Sequence, residues 1–286
     1  MKKLLIILLA NLMIYSYASA QNETSKSDLP KLVETEKSFA RTAAEKGTKA
    51  AFLEFLADDG IVFNPEATNG KELWKTRPVS PALLSWQPAY ADISSNGILG
   101  YTTGDWEFRP KGKMDTPVAF GQYFTIWRKQ SDGNYKAVLD LGVSHPKPEK
   151  TVADWKTSND KRENLSENKP VVANSVNLFY DTATTKGLSN AYKMFAAEDV
   201  RFLREEKLPI TGKKDALTAV KNVKSKISFG KKMILQSAGD LAYSNTTYQL
   251  INGDKIIEKG NTVQVWKFRN GKWQIVMDVF SPIPQK

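Results

Sequence analysis

Apolar and polar positions follow two different periods along the chain, and the change from one to the other occurs twice. Between residues 28 and 76, apolar residues recur every three or four positions, which is the period of an amphipathic helix. From residue 88 to residue 144 the period falls to two, which is typical of strands with one buried face. The same order returns from residue 172 onward. The pattern predicts an α+β protein in which helices pack on curved antiparallel sheets.

About three helices and several strands are predicted in the first half. The first helix carries Leu32, Glu36, Phe39 and Ala43 on one face. Pro78 ends the third helix, because proline cannot continue it. The predicted elements are helices starting at 28, over 49–57 and after 70, a short strand over 60–64, and strands over 88–95, 97–108, 117–130 and 134–144.

An internal repeat of about 140 residues organises the chain. The segment KGTKAAFLEFLADDG in the first half is matched by KGLSNAYKMFAAEDV in the second, and GQYFTIWRKQSDGNYKAVLDL is matched by GNTVQVWKFRNGKWQIVMDV. The acidic pairs Asp58-Asp59 and Glu198-Asp199 recur in register and are predicted to lie at helix ends and turns. A repeat this long indicates two tandem domains rather than a solenoid.

The predicted organisation is a signal peptide over 1–20, a first domain over 28–146, a polar linker over 147–171 and a second domain over 172–284. The signal peptide is read from two lysines, an apolar run and a small-residue cleavage site. A short helical turn is predicted in the linker near Trp155. We expect an exported, periplasmic or secreted, soluble protein. Because the chain has no cysteine, we expect no lipid anchor.

Composition excludes several kinds of chemistry. The chain has no cysteine and one histidine, His145, so thiol catalysis is excluded and no metal site is expected. It has no nucleotide-binding motif, so no cofactor is expected. The formal charge is +10, and ten basic residues fall within 201–232. This stretch is predicted to be a solvated face, with no nucleic acid partner and, after signal cleavage, no membrane partner.

An acid interrupts the apolar closing strand of each half: Asp140 in YKAVLDLGVS and Asp278 in KWQIVMDVFS. Strict alternation places Asp278 with Gln274, Val276 and Phe280 on the more mixed face, opposite the face of the neighbouring apolar residues. Two interpretations stay open. The acid lines a cavity wall, where desolvation raises its pKa, or it satisfies backbone donors or a basic side chain at the sheet end.

Asp140, Asp105 and Tyr101 are the candidate catalytic residues, as a base, acid and orienting group for enolisation beside a carbonyl. The second half retains only Tyr243 and Asp278 at the matching positions, so any catalysis is expected in the first domain. The alternative for Asp105 is an exposed strand acid without a role in chemistry.

Aromatic residues are dense in the first half, and aromatic side chains favour flat apolar ligands. The alternative interpretation is ordinary packing in the core and between strands. The candidate ligand-binding residues are Trp106, Tyr123, Trp127, Tyr243 and Asp278.

The segment LVETEKSFARTAAEKGTKAAFLEFLADDGIVFNP (32–65) and a strand meander ending in WQIVMD carry a family resemblance. The chain resembles the SnoaL-like, or nuclear transport factor 2-like, superfamily, and within it the subgroup catalogued as domain of unknown function 4440. The resemblance covers nearly all of 28–146 and, more loosely, 172–284. It implies a cystatin-like α+β cone, in which a curved sheet wraps round a long helix and encloses a conical cavity.

The family includes isomerases, dehydratases, polyketide cyclases and plain ligand-binding or dimerisation modules. Relatives that resemble ketosteroid isomerase use a carboxylate base with a tyrosine and a protonated aspartate, whereas dehydratase and cyclase relatives use His–Asp pairs. The second half has no histidine, so a His–Asp mechanism is excluded there.

The expected function is binding of a small, mostly apolar or aromatic molecule in the conical cavity. Two alternatives stay open. One is cofactor-independent proton transfer of the isomerase, dehydratase or cyclase type in the first domain. The other is a protein-interaction module, in which the two domains pair sheet to sheet as an internal pseudo-dimer or the chain forms a homodimer.

Overall fold

The protein is described here by a computed structural model covering residues 28–150, 152, 154–158 and 170–284. The predicted signal peptide lies outside these residues. Within them, no helix is long and apolar enough to cross a membrane. The helices and strands form two similar sets, which we call unit 1 (α1 to β7) and unit 2 (α4 to β14).

Unit 1 consists of α1 (28–46), α2 (Thr48–Phe55), β1 (Leu56–Phe63), β2 (Ala67–Asn69), α3 (Gly70–Thr76), β3 (Leu83–Trp86), β4 (Tyr90–Ile93), β5 (Leu99–Arg109), β6 (Ala119–Lys129) and β7 (Tyr135–Ser144). Unit 2 consists of α4 (Val172–Lys186), α5 (Leu188–Phe195), β8 (Ala196–Arg204), β9 (Lys207–Thr211), α6 (Lys213–Val220), β10 (Lys226–Phe229), β11 (Ile234–Ala238), β12 (Leu241–Asn252), β13 (Lys255–Arg269) and β14 (Lys272–Pro282). The predicted α+β class and its tandem arrangement are confirmed. The domain boundaries at 28–146 and 172–284 stay predictions.

Each unit contains one sheet of seven strands. The order is β2-β1-β7-β6-β5-β3 in unit 1 and β9-β8-β14-β13-β12-β10 in unit 2, with β4 beside β5 and β11 beside β12. The neighbouring strands are antiparallel, as predicted, except at one pair in each unit, where β7 runs parallel to β1 and β14 runs parallel to β8. The closing strand therefore lies against the first strand of its unit.

Helices cover one face of each sheet, which we call the inner face, and the other is the outer face. On the inner face of unit 1, Phe39 of α1 packs with Trp127. Phe179 of α4 packs with Trp266 in the same way in unit 2. The outer faces share one apolar cluster, to which Tyr101, Ile126 and Leu139 of unit 1 and Tyr243, Val265 and Met277 of unit 2 belong. The layers are therefore helices, sheet, sheet, helices.

A buried lysine adds a polar contact between the two units. The ammonium of Lys267, on β13, lies 3.3 Å from an Asp92 carboxylate oxygen and 3.4 Å from one of Asp240. It also donates a hydrogen bond to the carbonyl of Ile93 at 2.9 Å. Asp92 and Ile93 belong to unit 1, whereas Lys267 belongs to unit 2. The lysine therefore adds polar contacts to the apolar ones that join the two outer faces.

A β-bulge in each closing strand changes which residues share a face. The register shifts leave Val138 in β7 and Val276 in β14 without a residue directly opposite. Strict alternation therefore fails: Ile275 packs on the inner face, whereas Met277 belongs to the outer-face cluster. Asp278 lies on the inner face, as Ile275 does. The prediction that Asp278 and Val276 share a face is wrong, because Val276 belongs to the outer-face cluster.

The acidic pairs do not end helices, contrary to the prediction. Asp58-Asp59 lie in β1 and Glu198-Asp199 lie in β8, because each strand begins immediately after its helix. Register shifts in both strands accommodate these residues as irregularities. The guanidinium of Arg128 lies 2.7 Å from Asp59, so the repeated acid pairs with a cation of the sheet.

The described part of the predicted linker packs on unit 1. Residues 152 and 154–158 contain no helical turn, so the turn predicted near Trp155 is wrong. Lys156 forms a bridge with Tyr90, and its carbonyl accepts a hydrogen bond from the Ala91 amide at 2.9 Å. Trp155 packs against the inner-face core of unit 1.

Candidate functional site

A buried glutamate lies under the inner face of unit 1. Glu36 belongs to the apolar face of α1 and is fully buried. The indole of Trp86 donates to its Oε1 at 2.6 Å, and the Thr102 hydroxyl and the Trp127 indole donate to its Oε2 at 2.5 and 3.1 Å. Burial raises the pKa of Glu36 to about 7, although the three hydrogen bonds act to lower it.

Asp140 lies on the inner face of β7. The Thr125 hydroxyl donates to its Oδ2 at 2.7 Å, and no hydrogen bond from a described residue reaches its Oδ1. The side chain is partly exposed. Burial raises the pKa of Asp140 to about 7; the Thr125 hydrogen bond lowers it and the charge of Glu36 raises it further. No lysine or arginine among the described residues forms an ion pair with either acid.

The inner face is open beside Asp140. Tyr123 lies between Gly104 and Gly142 in the register of β5, β6 and β7. Its hydroxyl is buried without a hydrogen-bond partner in the described chain, and burial, followed by the charge of Glu36, raises its pKa well above the ordinary value. Gly142 is exposed and has no side chain to cover Asp140, which is itself partly exposed.

Unit 2 places the equivalent acid in a closed network. Asp278 lies opposite Gln264 of β13 and is fully buried. The Tyr192 hydroxyl lies 3.1 and 3.0 Å from its two oxygens, the Gln264 amide donates at 2.7 Å, and the Arg204 guanidinium donates at 2.5 Å. Burial alone would lower the pKa of Arg204, but Asp278 and Tyr192 raise it above its ordinary value. Asp278 therefore forms a buried structural ion pair with Arg204.

Three exchanges between the units account for the contrast. Val176 is buried in the apolar core of unit 2, at the helix position that Glu36 takes in unit 1. Arg204 and Phe280 fill the inner face beside Asp278, with the guanidinium 4.5 Å from the Phe280 ring centre. Each exchange either adds a charge to unit 1 or removes bulk from it. The pairs, with the residue of unit 1 first, are Glu36 and Val176, Asn64 and Arg204, and Gly142 and Phe280.

The predicted catalytic set does not assemble. Tyr101 belongs to the outer-face cluster. Asp105 lies opposite Gln122 on the outer face, 3.9 Å from the His145 ring, and it borders a pocket of about 340 Å³ that Trp86 and Trp106 also line. Burial raises the pKa of Asp105, and His145 acts to lower it. The sheet separates both residues from Asp140, so the three side chains cannot act on one atom.

The candidate ligand-binding residues divide in the same way. Trp106, Tyr123 and Trp127 lie on the inner face of unit 1, and their role in binding stays a prediction. Tyr243 lies between the two sheets and Asp278 is sealed, so neither is placed to touch a ligand. No group of three potential metal ligands occurs among the described residues.

Sequence reasoning did not select Glu36, although the signal was present. An acid interrupts the apolar face of the first helix, and the matching position of the repeat holds Val176. A charged residue in an apolar helix face, with an apolar counterpart in the other copy, indicates a local requirement rather than one of the fold.

No family model and no curated protein matches the sequence. Solved structures that match include an NTF2-like protein from Cytophaga hutchinsonii (14% identity, 39% of this chain and 96% of that chain, TM-score 0.33). Another is a protein of unknown function with a cystatin-like fold from Nostoc punctiforme (14%, 40% and 89%, TM-score 0.34). A third is a putative ketosteroid isomerase from Parabacteroides distasonis (17%, 42% and 94%, TM-score 0.34). Identities and TM-scores this low carry no information about activity, and the 4440 subgroup stays a prediction.

Proposed function

We propose that unit 1 binds a small, mostly apolar molecule in a conical cavity on its inner face, and that in unit 2 Arg204 and Phe280, which line a pocket of about 410 Å³, keep a ligand away from the equivalent acid. The observation that supports this is the contrast between the two equivalent acids: Asp140 is partly exposed and Asp278 is fully buried. Pockets that bind small molecules combine apolar walls with a few polar groups, and Trp106, Tyr123 and Asp140 supply both. Export of the chain belongs to the same proposal.

Filling the open position tests the binding proposal. Phenylalanine at position 142 would copy Phe280 of unit 2; a Cβ there lies 3.2 Å from the Trp106 indole nitrogen and 3.3 Å from the Gln122 carbonyl oxygen, so both neighbours must shift by a few tenths of an ångström. We expect Gly142→Phe to abolish binding of small aromatic molecules, measured by ligand-observed NMR on the full chain. Thr116→Phe, in the exposed loop between β5 and β6, adds the same ring elsewhere and should leave binding unchanged.

The binding proposal is abandoned if a panel of aromatic fragments gives no binding to the wild type, or gives equal binding to the wild type and Gly142→Phe. Circular dichroism and the melting temperature of each variant separate a filled site from an unfolded one, because only the unfolded variant loses its cooperative transition.

Proton transfer is a second candidate. It is favoured by the Oδ1 of Asp140, which accepts no hydrogen bond from a described residue, and by the Tyr123 hydroxyl, which has no hydrogen-bond partner among those residues. With its pKa near 7, Asp140 is ionised in about half of the molecules at neutral pH and can accept a proton. The proton would leave a carbon next to a carbonyl, and the Tyr123 hydroxyl would donate a hydrogen bond to the carbonyl oxygen as it gains charge.

Deuterium exchange tests this candidate without knowledge of the substrate. We expect the wild type to accelerate exchange of the α-protons of 2-tetralone in D₂O, observed by NMR, and Asp140→Asn to remove the acceleration. Asp132→Asn, in the exposed turn between β6 and β7, is the matched control. Equal rates for the wild type and Asp140→Asn would exclude Asp140 as the base for this class of substrate.

Pairing of the two units is a further part of the proposal. The apolar outer-face cluster and the contacts of Lys267 with Asp92 and Asp240 support an internal pseudo-dimer. The apolar outer face would be exposed in an isolated unit, and large exposed apolar patches favour association. We therefore propose that unit 2 serves chiefly to cover the outer face of unit 1.

A further inference from the structure

In unit 2, two side chains occupy the inner face beside the acid. The guanidinium of Arg204 lies 4.3 Å from the ring centre of Phe202 and 4.5 Å from that of Phe280. It donates to Asp278 at 2.5 Å and to Tyr192 at 3.3 Å. The unit thus supplies its own aromatic ring and its own planar cation to the carboxylate.

Unit 1 keeps the acid and lacks both partners. Asn64 stands at the position of Arg204 and Gly142 at that of Phe280, while Asp140 has one carboxylate oxygen without a hydrogen bond from the described chain. Glu36 adds a second acid, and no cation of the described chain pairs with either one. The positive charge of Arg204 and the bulk of the Phe280 ring are therefore both missing in unit 1.

We infer that the ligand of unit 1 is a small organic cation in which an aromatic ring carries a planar N–H donor group, such as a guanidinium or an amidinium. The inference rests on the proposed function. The cationic group would donate to Asp140, as Arg204 donates to Asp278, because paired N–H donors match the geometry of a carboxylate. The ring would lie over Gly142 and next to Trp106, where Phe280 lies in unit 2.

The charges at the site select this class of ligand over others. The two acids repel an anion, and a neutral ligand provides no counter-charge when they ionise. A cation favours their ionised form, so its binding releases protons. Affinity should therefore rise with pH through the range in which Glu36 and Asp140 titrate.

Groups on every neighbouring element enter this pH dependence. Two titratable groups lie near Asp140: Glu36 on α1 and Tyr123 on β6. The charge of Asp105, on β5, also raises the pKa of Tyr123. At the rim, the guanidinium of Arg77 lies 3.3 Å from the Asn64 amide oxygen. Because the pKa of Tyr123 is raised well above its ordinary value by burial, the change in affinity between pH 6 and pH 8 belongs to the acids.

Phenylguanidinium and phenylurea form a matched pair of probes, because they share a shape and differ in charge. Isothermal titration calorimetry on the full chain at pH 8 should show phenylguanidinium binding about tenfold or more tightly than phenylurea. Asp140→Asn should remove this preference, and Asp132→Asn should retain it. Binding of the cation should weaken at pH 6.

The outcomes separate the inference from the proposed function. If phenylurea binds and phenylguanidinium binds no better, the cationic ligand is wrong while the binding site stands. If Asp140→Asn keeps the preference, or Gly142→Phe still binds the cation, the cation binds elsewhere and the inference is again overturned. If neither probe binds, both the inference and the proposed site lose their support.

Discussion

The same substitution in the two copies should have unequal effects on stability. Asp278→Asn removes the charge that faces the buried guanidinium of Arg204 and leaves an NH₂ group facing donors from Tyr192 or Gln264. Removing one partner of a buried ion pair costs about 3–5 kcal/mol in free energy of unfolding. Asp140→Asn keeps an oxygen that accepts from one hydroxyl and removes an acid whose ionisation opposes folding at pH 7, so we expect no loss of stability and a gain of up to about 4 kcal/mol.

Urea unfolding at pH 7, followed by far-UV circular dichroism and tryptophan fluorescence, measures the contrast. A loss of about 3 kcal/mol in Asp278→Asn shifts the midpoint by about 1 M or more for an ordinary dependence on urea. Asp140→Asn is the matched control, because it makes the same chemical change at the equivalent position. Equal shifts in the two variants would refute the assignment of one acid to structure and the other to an open site.

Three further outcomes are expected. The pKa values of Asp140 and Glu36 lie near 7 in the folded chain, above their ordinary values. The stability that these acids add is therefore complete below about pH 4 and falls as the pH rises through about 7. Unfolding measured from pH 4 to pH 8 should show a smaller fall in Asp140→Asn than in the wild type. Lys267→Met leaves two buried carboxylates without their cation and should cost about 3–5 kcal/mol in the same assay, whereas Arg128→Met, whose ion pair is partly exposed, should cost about 1 kcal/mol or less; equal costs would argue against a buried junction. Trp155→Ala should lower the melting temperature because the indole packs on unit 1, while Lys156→Ala, whose contacts there are those of the backbone, should change it little.

The internal repeat and the hairpin-connected strands could be predicted because both are local properties of the sequence. The period of two from residue 88 onward reflects a sheet with different environments on its faces, and Gly133 and Gly271 mark the turns before the closing strands. Strands β5, β6 and β7 lie within two residues of their predicted bounds. A repeat with matched turns also fixes the equivalence of Asp140 and Asp278 without any structure.

The assignment of residues to faces could not be predicted, because one unpaired residue reverses it. Val138 and Val276 are ordinary strand residues in sequence, and their bulges appear only when the neighbouring strand is in place. The partner of Asp278 was also beyond the sequence, since Arg204 is 74 residues away and reaches the acid only through the parallel pairing of β8 with β14. Long-range pairing of this kind is set by topology, and alternation says nothing about it.

The unequal fate of the repeated acid is the strongest reason to look for function in unit 1. Holding the pKa of Asp140 near 7, against an ordinary value of about 4, corresponds to about 4 kcal/mol of destabilisation once the group is ionised. In unit 2, Arg204 supplies the counter-charge to the equivalent acid, Asp278, which is fully buried. Unit 1 keeps an acid that pairs with no cation of the described residues, and it lacks the ring that covers the equivalent acid in unit 2, so it tolerates a cost that packing alone would not explain. A partner from outside the chain explains it, because a bound cation would supply the counter-charge that Arg204 supplies to Asp278.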